Sequence, residues 1–343
     1  MGVGGFYACL SPDKQVLFLE GFFVLKRERA HREYVIVDAH CDFLTAMEEQ
    51  NRRFGQRSES GHVDLPRLKQ GGVQVQFFAA FVSPAYRRNP LARALTLIER
   101  FYAELQENSR EIMLAEKYKD VEKALDQGKI AALLAVEGGE ALEGSLEVLR
   151  ALYRLGVRSL TLTWNHRNDL GDGVSEEGTK GGLTRFGKEV VREMNRLNML
   201  VDVAHLSEAG FWDVLEVSDK PVIASHANCR SICAHPRNLT DRQIKALAGA
   251  GGVIGLCFYP DFVHEHVPSL EKLLDHVDHL AEVGGVDCIG LGSDFDGFPG
   301  NLPGLEDASR LPAFTDGLLS RGYKEEEIRK ILGGNFLRLL KEI

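Results

Sequence analysis

Eight short apolar runs recur between residues 34 and 297, and nearly all are aliphatic or β-branched along their length. They are YVIVDAH (34–40), VQVQFFAAFV (73–82), IAALLAVEG (130–138), VRSLTLTW (157–164), LVDVAH (200–205), PVIASHA (221–227), GGVIGLCFY (251–259) and CIGLGSDFDG (288–297). A strand with one wet face alternates polar and apolar residues; strands this apolar need cover on both faces, as in a parallel sheet. The segments between them supply that cover. SLEVLRALYRLG (145–156) has apolar residues at helical spacing and stops at Gly156. LTRFGKEVVREMNRLN (183–198) starts with Thr184 as N-cap, and SEAGFWDVLEVS (207–218) with Ser207. SLEKLLDHVDHLAEVGG (269–285) and residues 324–343 are further helices, and 83–129 holds one or two longer ones. Strand and helix alternating eight times predict an α/β fold of the TIM type, a (β/α)8 barrel.

A chain of 343 residues suits one such barrel, placed at 34–343 as a single domain. Residues 1–33 are read as an N-terminal extension, either accessory strands or the product of an upstream start. Within it VLFLEGFFVL (16–25) is interrupted by Glu20 and is too short to cross a bilayer. Net charge of −9 gives no basic surface for nucleic acid. Six cysteines without a CxxC pair are no disulfide framework, and Cys229 and Cys233 are read as small buried residues. The expected compartment is reducing, hence cytoplasmic.

Ionisable residues interrupt the apolar runs at their C-terminal ends. His40 and Asp42 close the first, Glu137 the third, His205 the fifth, His226 the sixth and Asp294 the eighth. In VIVDAHCDFL, alternation also puts Asp38 on the face of His40 and Asp42. The C-terminal strand ends of a barrel surround one mouth, where such enzymes keep their active sites. Three histidines, an aspartate and a glutamate form a nitrogen and oxygen donor set suited to Zn²⁺. Five ligands exceed what one catalytic zinc takes, and fit two Zn²⁺ per chain bridged by Glu137 and a hydroxide. A closed structural zinc site would use cysteine, and a metal-free polar core would need partners for five buried ionisable groups.

The chain resembles the membrane-type (renal) dipeptidases, zinc peptidases of the amidohydrolase-like barrel superfamily. The resemblance rests on DAHCD (38–42), VEGG (136–139), LEVLRALYRLGVRSLTLT (146–163), DVAHLS (202–207), SHANCRSICAHPRNL (225–239), GSDFDG (292–297) and GGNFLRLL (333–340). It implies that His40, Asp42 and Glu137 hold one zinc, and Glu137, His205 and His226 the other. It implies that Arg237 binds the substrate's C-terminal carboxylate and that Asp294 carries a proton from the hydroxide to the leaving amine. Tyr259 falls near the substrate. Where well-known members carry a histidine after LTLT, this chain has Trp164, with His166 two residues on. If the strand stays extended, both share a face, Trp164 walls the substrate and His166 reaches the oxyanion. A strand that stops earlier leaves His166 an exposed loop residue.

The implied activity is hydrolysis of dipeptides, with tolerance of a D-residue at the C-terminal position. Expected partners are small dipeptide substrates, with a homodimer as the assembly, no nucleic acid and no membrane span. Two other readings share the fold: a barrel hydrolase acting on a lactone, cyclic amide or N-acyl amino acid, and a non-catalytic metal-binding barrel.

Overall fold

The computed structural model describes residue 31 and residues 33–342. The barrel unit begins at Val35, and the accessory strands anticipated for 1–33 fall outside the described residues. The eight apolar runs form β1 (Ile36–Asp38), β2 (Val73–Phe81), β4 (Ile130–Glu137), β5 (Val157–Thr161), β6 (Leu200–Asp202), β7 (Ile223–Ala224), β8 (Val253–Leu256) and β9 (Ile289–Leu291). All pair in parallel, and β2 closes the ring by pairing with both β1 and β4. The result is the expected barrel. One strand was not anticipated: β3 (Ile112–Leu114) runs beside the start of β4, ahead of the point where β5 takes over that edge.

The helices also follow the sequence signals. Thr184 caps Arg185–Leu197 by accepting from the Gly187 amide, and Ser207 caps Glu208–Val217 through Gly210. The stretch 83–129 contains the helices Pro90–Glu107 and Tyr118–Asp126. The C-terminal helical pattern is broken by a π-turn at Lys330–Gly334. There Gly333 packs so close to the Val35 carbonyl that a β-carbon would lie 2.2 Å from it.

A buried apolar cluster joins Val37, Val75, Phe77, Ala131, Leu133, Leu200, Ile223 and Val253 of the barrel strands to Phe336, Leu339 and Leu340 of the last helix. Cys229 and Cys233 are buried, with sulfurs directed at the carbonyls of His276 and Asp261. Among the described residues, no helix is long and apolar enough to cross a membrane.

Candidate active site

The strand ends bring His40, Asp42, Glu137, His205, His226 and Asp294 together. β1 and β9 keep pairing beyond their regular parts: the Asp294 amide donates to the His40 carbonyl at 3.2 Å, and the Asp42 amide to that of Phe295 at 2.9 Å. His40 Nε2 therefore lies 3.2 Å from Asp42 Oδ2 and 3.8 Å from Asp294 Oδ1. Glu137 reaches both sides of the cluster. Its Oε2 is 3.6 Å from His40 Nε2, while Oε1 is 3.0 Å from His205 Nε2 and 3.7 Å from His226 Nε2. Gly139, just beyond, lets the end of β4 pass the Leu162 carbonyl, which would be 2.5 Å from a β-carbon there. His205 and Asp294 hold φ of 65° and 62°, a left-handed conformation uncommon outside glycine and often found at functional sites.

Two buried aspartates outside this cluster hold it in place, and they do so alike. Asp38 does not join the cluster. It accepts the Ser293 amide at 2.8 Å and the Ser293 hydroxyl at 2.7 Å, fixing the residue before Asp294. Asp202 accepts the Ser225 amide at 2.8 Å and its hydroxyl at 2.6 Å, fixing the residue before His226. The Ser225 hydroxyl has one hydrogen, which goes to the carboxylate. Its oxygen is then an acceptor for His226 Nδ1–H, 2.8 Å away. The Nε2 of His226 is left with a lone pair directed into the cluster. Asn165 Oδ1 stands 2.7 Å from His205 Nδ1. Asn165, Asp202, Ser225 and Ser293 were not singled out in the sequence. The only local signal is an aspartate two or three residues before a cluster histidine, and a serine just before His226 or Asp294.

The electrostatics divide the cluster. Burial opposes charge on His40, but Glu137, Asp42 and Asp294 overcome it and push its pKa to about 10. Burial holds His205 and His226 neutral, well below the usual imidazole range, with Arg237 and His40 adding to the effect. Burial, with Asp42 adding to it, raises Asp294 to about 7 against the pull of His40. Burial also raises Glu137 well above the usual carboxylate range.

This donor set fits a cation. The donor atoms of His40, Glu137 and His226 lie within 4.8 Å of one another, as do those of His40, Asp42 and Asp294. Asp42 Oδ1 is buried without a hydrogen-bond partner, and the Nε2 atoms of His205 and His226 face each other at 2.8 Å. A divalent ion would satisfy the orphaned oxygen, the converging lone pairs and the crowded carboxylates together.

A cavity of about 260 Å³ opens above the cluster, with Asp42, Glu137, His205 and Asp294 among its lining residues. Trp164, Asn165, Phe81, Tyr259 and Phe262 also line it. Arg237 is buried, donates from Nη2 to the His226 carbonyl at 3.0 Å, and lies 5.4 Å from the Phe262 ring. Its Nε has no hydrogen-bond partner. His166 is not brought to the cavity. The β5 ladder stops where Thr161 pairs with Asp202, the last residue of β6, so the extended geometry that would align positions 164 and 166 is absent. His166 is exposed, its ring 5.6 Å from that of Trp164, and Asn165 lines the cavity instead.

Comparison with known proteins agrees with this picture. Residues 25–343 match a family described as membrane dipeptidase (Peptidase family M19). Dipeptidase verJ of Clonostachys rogersoniana is 36% identical over 331 residues, spanning 90% of this chain and 84% of that protein. Dipeptidase tcpJ of Claviceps purpurea is 34% identical over 337 residues, spanning 93% and 77%. A metallopeptidase structure from Rhodobacter sphaeroides, liganded with a phosphinate mimic of the dipeptide L-Ala-D-Ala, is similar with a TM-score of 0.83. It is 30% identical and covers 90% of this chain and 99% of its own.

Proposed function

As a member of the membrane dipeptidases, Peptidase family M19, this chain is a metal-dependent peptide-bond hydrolase, and we propose that it cleaves free dipeptides at a two-zinc site. His40, Asp42 and Glu137 would hold one ion, and Glu137, His205 and His226 the other. Zinc, when bound, supplies Lewis acidity and lowers the pKa of water toward neutrality.

Arg237 carries the reading. A guanidinium stays charged when buried, and this one has an unpartnered Nε beside the cavity wall. Glu137 and Asp294 act on it from a distance. A planar, bidentate donor of this kind suits the free carboxylate of a substrate. The cavity volume of about 260 Å³ suits a small substrate of dipeptide size. Trp164 and Tyr259 form apolar walls for the side chains. Asp294, raised to about 7, is matched to taking a proton from the attacking water and returning it to the leaving amine. The L-Ala-D-Ala mimic held by the Rhodobacter sphaeroides relative supports acceptance of a D-residue at the C-terminal position here.

The test compares dipeptides ending in L- or D-residues with their C-terminal amides, on zinc-loaded wild type and Arg237→Met. The wild type should hydrolyse both stereochemical series. The variant should lose about 10²-fold in kcat/KM on free dipeptides, the scale of a lost charged hydrogen-bond pair, and much less on the amides. Equal losses on acids and amides would remove Arg237 as the carboxylate clamp.

A further inference from the structure

We propose that Asn165 is a positioning residue for His205: its side-chain oxygen takes the Nδ1 hydrogen and so keeps the Nε2 lone pair directed at Glu137 and His226. The inference rests on the metal-site reading but assigns a role to a residue outside the ligand set.

A neutral imidazole carries one N–H, so the partner of one nitrogen decides the state of the other. Asn165 Oδ1 lies 2.7 Å from His205 Nδ1, and His205 Nε2 lies 3.0 Å from Glu137 Oε1. Were the amide to present its NH₂ group instead, the ring hydrogen would move to Nε2 and block ligation. The backbone around this contact is held from one short segment. The Val174 amide donates to the His205 carbonyl and the Ser175 amide to the Asn165 carbonyl, each at 2.8 Å. Between them Gly173 packs against the 164–165 backbone, where a β-carbon would lie 2.3 Å from the Trp164 carbonyl oxygen and 2.4 Å from that of Asn165. Residues 173–175 therefore set the separation of Asn165 and His205. The partner of His226, Ser225, is instead buried in the barrel wall and tied to Asp202. Asn165 is only half-buried and lines the cavity. The loop that shapes the substrate wall thus also orients a ligand.

The experiment is a Co²⁺ titration of chelator-stripped wild type, Asn165→Asp, Asn165→Leu and Asn165→Ala, read by visible absorption, with thermal melting of each metal-free protein as a check on folding. Aspartate can only accept, so N165D should keep Co²⁺ affinity within about threefold of wild type. N165L and N165A lack the acceptor and should weaken binding about 10- to 100-fold, the usual effect of removing such a partner. Should N165L fail to fold, N165A carries the comparison. Wild-type affinity in N165A, or N165D as weak as N165A, would overturn the role. Failure of the wild type itself to take up Co²⁺ would instead overturn the metal reading on which the role depends.

Discussion

The two halves of the site are built on the same device and arrive at opposite electrostatic states. On the β1 and β9 side, Asp38 grips Ser293; on the β6 and β7 side, Asp202 grips Ser225. Each clamp fixes a neighbour in the cluster. Yet His40 sits among three carboxylates and holds its proton to about 10, while His205 and His226 are neutral. The difference shows that backbone placement and charge are set separately here. Strand geometry delivers the side chains, and burial together with the charges around each group decides its protonation. On the proposed mechanism, proton chemistry belongs to the half that holds Asp294, and neutral nitrogen ligation to the other.

Glu137 places one carboxylate oxygen 3.6 Å from His40 and the other 3.0 Å from His205, so its loss should do most damage. Glu137→Gln should lower metal content below two ions per chain and cut kcat by about 10³-fold or more, beyond the usual scale of a single acid–base group. Elemental analysis alongside kinetics checks this, and full metal content with near-normal turnover would detach Glu137 from both halves.

Asp294→Asn should separate the halves. On the proposed mechanism it removes the proton carrier but leaves the neutral histidines untouched, so metal content should persist while kcat falls about 10²- to 10⁴-fold. Near-normal kcat in the folded, loaded variant would reduce Asp294 to a strand cap.

The pH dependence of the metal-free protein should come from one half. His40 has a folded pKa of about 10 against an ordinary value of 6.5. Its stabilising contribution is complete below pH 6.5 and is lost as pH rises toward 10. Above about pH 7.5 His205 and His226 are neutral in both folded and unfolded chains and contribute no slope. Chelated protein should therefore lose stability between pH 6.5 and 10, with the His40 proton contributing at most about 1.4 kcal/mol per pH unit and the raised carboxyls of Asp294 and Glu137 adding slope of the same sign as they ionise. Metal-loaded protein should lose less, since ligation excludes the proton. Denaturant titrations at several pH values measure both. His40→Gln should reduce the slope of the chelated protein, most clearly above about pH 8, and a slope as steep as that of the wild type would assign it elsewhere.

The smallest effect is expected at His166, which is exposed and outside both halves. His166→Ala should change kcat by less than about threefold. A fall of about 10² with unchanged metal content would restore the oxyanion role that an extended strand would have allowed.

The ligand candidates were legible because a barrel converts a local pattern into a global one. A polar residue at the end of an apolar run must arrive at the shared mouth once eight such runs close into a ring. The supports were not legible. Ser293 is 255 residues from Asp38 and Ser225 is 23 from Asp202, and small polar residues carry no periodic signal that would join them. Asn165 carries no signal of its own in the sequence between the more reactive types Trp164 and His166. β3 is not legible because its three residues leave too little pattern to separate a strand from the adjoining helices.

Sequence by itself determined the barrel, the caps of its helices and the residues that meet at its mouth. Each follows from hydrophobic period or from covalent distance to a strand end, and both are properties of neighbours in the chain. Only the tertiary structure decided where β5 stops, which side chain of the 164–166 segment faces the cavity, and how the histidines divide between charged and neutral. The end of β5 is set by the length of β6, its hydrogen-bonding partner, and the protonation states by burial in the folded core and by charges packed beside each group. A backbone ladder and an electric field are both made by whatever lies nearest in space, and folding is what makes distant residues near.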